Sequence, residues 1–221
     1  MSKKETVPVE PEQEEKAEQK KSSGKEFLHD LLFFLIIVAL LFVLNSTVLI
    51  NAKIPSGSME TTLMTGDRVI GNRLAYKHKD PERFDIVIFK YPDDESQYFV
   101  KRIIGMPGDT VQIKDGKVYI NGSTTPLPDK FCYGHGRPVG DWGPYQVPAG
   151  HYFMMGDNRN DSLDSRYWYN TYLAKDKIVA KVVYIYWPFS HVKGIKYKDV
   201  KASIPKAAVP PATTVRASAV S

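Results

Sequence analysis

A lysine inside an apolar strand is costly, and Lys101 occupies such a place in Tyr98-Phe99-Val100-Lys101-Arg102-Ile103-Ile104. Alternation along that run puts Phe99, Lys101 and Ile103 on one face and Val100, Arg102 and Ile104 on the other. Arginine keeps its charge in proteins, whereas a desolvated lysine sheds its proton readily. A lysine in that state can serve as general base toward a serine hydroxyl. A lysine that merely reaches for water or pairs with an acid reads the same in sequence. Hydroxyls suited to such a base lie upstream, in Ile54-Pro55-Ser56-Gly57-Ser58-Met59. Pro55 stiffens this segment and holds Ile54 extended, while Gly57 lets backbone approach closely. Taken alone, Ser-Gly-Ser is also the composition of an ordinary polar turn.

A third stretch, Gly156-Asp157-Asn158-Arg159-Asn160-Asp161-Ser162-Leu163-Asp164-Ser165-Arg166, is dense in acids, arginines and hydroxyls. Counted from Asp157, the third position is Arg159, the sixth Ser162 and the twelfth Trp168, which fails the calcium-loop pattern. Two readings remain open on residues alone: a solvated acidic loop, or a hydrogen-bonded scaffold in which Asp and Arg pair beside a catalytic group.

These segments need elements to hold them. The first 26 residues carry six Lys and seven Glu and no aromatic residue, a composition expected to stay a disordered tail. Leu31 to Leu44 is then fourteen residues without a polar side chain. With flanking apolar positions the span covers 27–50, at 1.5 Å per residue ~36 Å, enough to cross a ~30 Å hydrocarbon core. The long preceding tail and the poor Ala-x-Ala match after it favour an uncleaved anchor over a removed signal sequence. Lys16, Lys20, Lys21 and Lys25 precede the span and only Lys53 and Arg68 follow closely, which favours a cytoplasmic N-terminus. Ser58 lies eight residues beyond Ile50, within ~29 Å of the span even if fully extended, so it should act near the bilayer surface.

Residues 51–200 read mainly as β. Strands are expected at 67–74, 84–91, 98–105, 110–114, 117–121, 151–155 and 178–187, each rich in Val, Ile, Tyr or Phe. Asp115-Gly116 joins two of them as a two-residue hairpin. The Pro- and Gly-rich stretch 122–150 reads as an irregular excursion, and 201–221 as a flexible tail. The expected fold is therefore mainly β: an antiparallel sheet domain on a single N-terminal transmembrane helix. A net charge of +5 suits an anionic lipid surface and a soluble basic domain equally. One cysteine, Cys132, allows no internal disulfide.

The chain resembles bacterial type I signal peptidases, membrane-anchored serine proteases. The resemblance runs through Ile54 to Leu63, Gly66-Asp67-Arg68-Val69, Val100 to Asp109 and Gly156 to Arg166, in the family's order. It implies that Ser58 is the nucleophile and Lys101 the general base. Ser56 falls on the hydroxyl that assists the oxyanion site, and Ser162 on the serine that orients the lysine. Asp164 and Arg166 fall on a supporting ion pair. Asn160-Asp161 inverts the order more usual in the family just before Ser162. The implied substrates are preproteins with small residues at −1 and −3, cut at the outer face of the bacterial cytoplasmic membrane. Membrane lipid and a secretion translocon are the implied neighbours, with no cofactor and no metal.

Rival chemistries fit less well. His78, His135, His151 and His191 could supply a histidine base, but no Gly-x-Ser-x-Gly elbow accompanies them. Zinc chemistry lacks a His-Glu-x-x-His pattern and has a single cysteine to draw on. No stretch interleaves basic and aromatic residues as a nucleic-acid module does, so no nucleic-acid partner is expected. A self-cleaving repressor with the same dyad would need a DNA-binding module, which the short, acidic N-terminal stretch does not provide. A membrane-tethered β domain that binds proteins or lipids explains the anchor and the charge but not the Ser58–Lys101 coincidence.

Overall fold

One helix, α1 (Glu12–Thr47), precedes eleven strands in the computed structural model, which describes residues 12–132 and 140–197, with side chains from Lys25 onward. Within α1, Lys25–Thr47 is 23 residues long with a mean hydropathy of 2.8, enough by length and composition to cross a membrane. Its apolar side chains are exposed all along it, as a lipid-facing helix requires. Two sequence expectations change here. The charged stretch from Glu12 to Glu26 is helical rather than without structure, because Glu, Lys, Gln and Ala are strong helix formers whatever their polarity. Leu49 and Ile50, counted with the span, instead open strand β1 (Leu49–Lys53). Residues 1–11, His135 and the expected tail 201–221 lie outside the described residues.

The chain from Val48 onward forms a second unit. Its strands are β1, β2 (Arg68–Asn72), β3 (Ile86–Tyr91), β4 (Asp94–Gly105), β5 (Thr110–Lys114), β6 (Lys117–Ile120), β7 (Trp142–Gln146), β8 (His151–Met155), β9 (Leu173–Ala174), β10 (Ile178–Trp187) and β11 (Lys193–Gly194). The large sheet runs β1-β2-β10-β3-β4-β8-β9, with β11 added beside β10, and its pairings are antiparallel. A small sheet, β6-β5-β7, stands apart from it. Asp115 and Gly116 take φ of 49° and 70°, the left-handed pair that a two-residue hairpin needs.

Strand β7 corrects the expectation that 122–150 is irregular throughout. Its Gly143-Pro144 reads as a breaker, yet β7 is an edge strand paired only with β5, where a missing N–H is tolerated. The register slips between Val111 and Ile113, opposite this dipeptide. Gly143 has φ 98°, and a Cβ there would meet the Val111 carbonyl at 2.6 Å, so the close approach needs glycine.

Strand β4 is the element that matters most for chemistry. Its first half pairs only with β3, whereas its second half, from Arg102 to Gly105, also pairs with β8. Lys101 through Gly105 are consequently buried, sandwiched between aliphatic and aromatic cores built around Ile86, Val87, Phe153 and Met154. Both cations of the strand are forced into that interior.

Candidate active site

Pro55 and the single 3-10 turn Gly57–Met59 carry the chain from β1 across the end of the sheet. Ile54 is locked by a pair of backbone bonds, Ile54 N–H to Asp67 C=O at 2.8 Å and Gly66 N–H to Ile54 C=O at 2.8 Å. The turn buries Ser58 and Met59, so the Ser58 hydroxyl points into the protein rather than into solvent. There it meets Lys101: Nζ stands 2.5 Å from Ser58 Oγ, and Lys101 is only 4% exposed. Ser56 Oγ lies 3.4 Å from Ser58 Oγ, a long contact from a more exposed hydroxyl.

Burial pushes the Lys101 ammonium down from 10.5 to about 8. The buried carboxylates of Asp164 and Asp157 pull the other way, Arg166 adds to the depression, and Asp161 opposes it more weakly. Phe99 supplies part of the apolar wall, its ring centroid 5.7 Å from Nζ. At about 8, roughly one amine in ten is neutral at pH 7, against fewer than about one in a thousand for an unburied lysine. A neutral amine at this distance can take the Ser58 proton directly.

The Gly156–Arg166 loop is the hydrogen-bonded scaffold, not a solvated one. Asp164 is fully buried and receives two bonds from Arg166, Nε to Oδ1 at 2.8 Å and Nη2 to Oδ2 at 2.9 Å. Asp164 also accepts the Gly156 N–H at 3.0 Å, and Arg166 reaches the Arg159 carbonyl at 2.7 Å. The scaffold grips the nucleophile's backbone: Asn158 N–H donates to the Ser58 carbonyl at 3.1 Å and Asn158 Nδ2 to the Gly57 carbonyl at 3.2 Å. A Cβ at position 156 would sit 2.4 Å from the Ser58 carbonyl and 2.3 Å from Ser162 Oγ, so only glycine allows these two to converge. The Ser162 hydroxyl is buried and, among the described residues, has no hydrogen-bond partner. It stands beside the nucleophile's turn without a bond to Lys101.

A second buried pair went unread in the sequence. Arg102 Nε donates to Asp157 Oδ1 at 2.7 Å and Nη2 to Oδ2 at 2.5 Å, with Thr62 also donating to that carboxylate. Arg102 Nη1 reaches the Phe84 carbonyl at 2.9 Å, and the guanidinium lies 4.1 Å from the Phe131 ring centroid. Phe84 adopts φ 71°, a conformation that costs an aromatic residue about 1–3 kcal/mol and is held by this packing. The available signal was an arginine in an apolar strand, a charge that needs an acidic partner once buried. Of the expected site residues, Ser58, Lys101, Ser56 and Ser162 gather within one region, and Asp164 and Arg166 form the pair beneath it.

A cleft of about 420 Å³ opens onto the dyad. Ile54 to Ser56, Met59, Ile88, Gln97 to Lys101, Asp161 and Leu163 are among the residues that line it. Among the described residues no three or more His, Cys, Asp or Glu side chains gather as a metal site.

An antiparallel β body behind one apolar helix, with a serine hydroxyl against a buried lysine, has the parts of a serine hydrolase with a lysine base. Comparison with known proteins gives the same class: the family described as signal peptidase, peptidase S26, matches residues 27–187. A probable signal peptidase I-2 of Synechocystis sp. is 39% identical over 144 residues, covering 63% of this chain and 63% of that protein. Signal peptidase I of Pseudomonas aeruginosa is 33% identical over 204 residues, covering 70% of this chain and 71% of its own. Signal peptidase I of Bacillus amyloliquefaciens is 35% identical over 188 residues, covering 82% of this chain and all of its own length. The chain belongs to the signal peptidase family, peptidase S26.

Proposed function

We propose that the protein is a membrane-anchored endopeptidase that removes N-terminal signal peptides from secreted preproteins. The observation that carries this reading is the 2.5 Å approach of Lys101 Nζ to Ser58 Oγ inside a low-dielectric site. Neutral Lys101 accepts the hydroxyl proton as Ser58 Oγ bonds to the scissile carbonyl carbon. The proton then passes to the leaving amine as the peptide bond breaks, leaving an ester on Ser58. Water, deprotonated by the same amine, hydrolyses that ester and restores both residues. No carboxylate needs to complete a triad, because an amine has no tautomer to fix.

The developing oxyanion is received by the Ser58 N–H, within the 3-10 turn, and by the Ser56 hydroxyl. Ser162, packed against Gly156, limits the positions open to the lysine amine, and the Asp164–Arg166 pair holds the loop that carries it. The substrate lies extended in the cleft. The edge of β4 from Gln97 to Val100 faces it, and β8 pairs only with the later residues of that strand. An added strand would satisfy those backbone groups, and small side chains next to the cut are what the family resemblance implies. The helix Lys25–Thr47 keeps the enzyme in the membrane that holds its substrates. The catalytic body faces outward from the bacterial cytoplasmic membrane, near lipid and the secretion translocon.

The test is preprotein cleavage by full-length enzyme in detergent. Ser58→Ala and Lys101→Ala should each abolish product while leaving the circular-dichroism spectrum unchanged. Ser56→Ala should slow turnover by ~10²–10³ without abolishing it. Processing at near wild-type rate by either dyad variant would replace the enzyme reading with a binding one.

A further inference from the structure

A larger cavity than the catalytic cleft opens elsewhere on the β body, about 690 Å³ between the segment after β2 and the turn before β10. We propose that it binds the phosphate-bearing headgroup of an anionic phospholipid. Its rim carries Arg73, Lys77 and Lys175, while Leu74, Pro81 and Ile178 line it with apolar surface. A phosphodiester with a glycerol backbone needs that combination: donors for the phosphate oxygens and hydrocarbon for the rest. Lys175 pairs with Asp80, and Asp176 also lines the cavity. Among the described residues neither Arg73 nor Lys77 forms an ion pair, and both are exposed. Neither charge is neutralised by an acid, although Arg73 Nε also donates to a backbone carbonyl, and Lys79 stands two residues further along the same exposed turn.

The lipid source follows from the chain itself. Arg73 N–H donates to the Val48 carbonyl at 2.8 Å, and Arg73 Nε to the Leu49 carbonyl at 3.1 Å. Val48 is the residue after Thr47, where the membrane-spanning helix ends. Consecutive Cα atoms are ~3.8 Å apart, so the Arg73 side of the cavity is bonded to chain that has just left the helix. An anionic headgroup is the ligand of this chemistry that the membrane supplies at high local concentration.

The experiment reads lysine accessibility, not cleavage, so it stands whether or not the peptidase reading does. Full-length protein is placed in nanodiscs of phosphatidylcholine alone, or with one-third phosphatidylglycerol, and its amines are acylated and mapped by mass spectrometry. Lys77 and Lys175 should be acylated at least threefold more slowly with phosphatidylglycerol present, while Lys114 and Lys117 on the small sheet keep their rates. Lys77→Gln should cut the protection of Lys175, because it removes one of the two cations without an acidic partner. Equal rates at Lys77 in both discs would overturn the proposal. Equal protection of Lys114 and Lys117 would also overturn it, since that is a general approach to a charged surface. Protection in plain phosphatidylcholine discs by added glycerol phosphate alone would assign the cavity to a free phosphate ester instead of lipid.

Discussion

At the scale of single residues, the proton on Lys101 governs both rate and stability on the proposed reading. Burial sets its titration near 8, with Asp164 and Asp157 preventing a larger fall. Peptide cleavage, followed as kcat/KM, should therefore rise with pH through about 8 and level off above it. Asp161 raises the Lys101 value, so Asp161→Asn should move that limb to lower pH. An inflection near the ordinary lysine value of 10.5 in the wild type would contradict a buried base. Stability should run in the opposite sense to a salt-bridged lysine. The unfolded chain binds this proton up to 10.5 and the folded one only up to about 8, so folding gains stability as pH rises between them. Below about 8 the penalty is complete, on the order of 3 kcal/mol for this shift. Lys101→Met should accordingly melt at higher temperature than the wild type at pH 7, with the gap closing toward pH 10.5. Thermal unfolding in detergent at both values measures it.

At the scale of elements, β4 and the Gly156–Arg166 loop act as one device joined by buried ion pairs. Arg102–Asp157 ties the strand to the loop, and Arg166–Asp164 ties the loop to itself. Asp157→Asn leaves the Arg102 charge buried without its counter-charge and should cost roughly 3–5 kcal/mol of stability. Lys177→Ala, which breaks the exposed pair with Glu95, should leave the unfolding midpoint where it was. Equal effects from the two variants would mean that the buried pair does not hold the loop. Strands rich in β-branched and aromatic residues between turn formers were legible from composition, as 110–114, 151–155 and 178–187 show by their matching bounds. Strand β1 was hidden because Leu49 and Ile50 are apolar for a sheet reason that looks like a membrane reason. Strand β7 was hidden because Gly143-Pro144 breaks most strands but builds a bulge at an edge. The Ser58–Lys101 contact was expected from the family resemblance, since the residues alone also allowed a solvated lysine and a polar turn. The Arg102–Asp157 pair was not, since 55 residues separate its members and nothing local couples them.

At the scale of the whole chain, a single residue, Val48, separates the end of the helix from the first strand of the β body in sequence. Helix α1 ends at Thr47, and the Val48 carbonyl already accepts the Arg73 N–H. On the proposed reading, so short a covalent connection raises the effective concentration of the cleft toward a substrate anchored in the same bilayer. Twenty Gly/Ser residues inserted between Thr47 and Val48 would add a flexible spacer with an end-to-end distance of ~25 Å. The cleft would sample a larger volume, and cleavage of a bilayer-embedded preprotein in proteoliposomes should fall several-fold. Cleavage of a short soluble peptide should not change, because it reaches the cleft by free diffusion and the dyad is untouched. A drop in both activities would instead mean that the insertion had disturbed β1 and the Ser58 turn that follows it. No drop in either would mean that the anchor only localises the enzyme and does not present the cleft to its substrate.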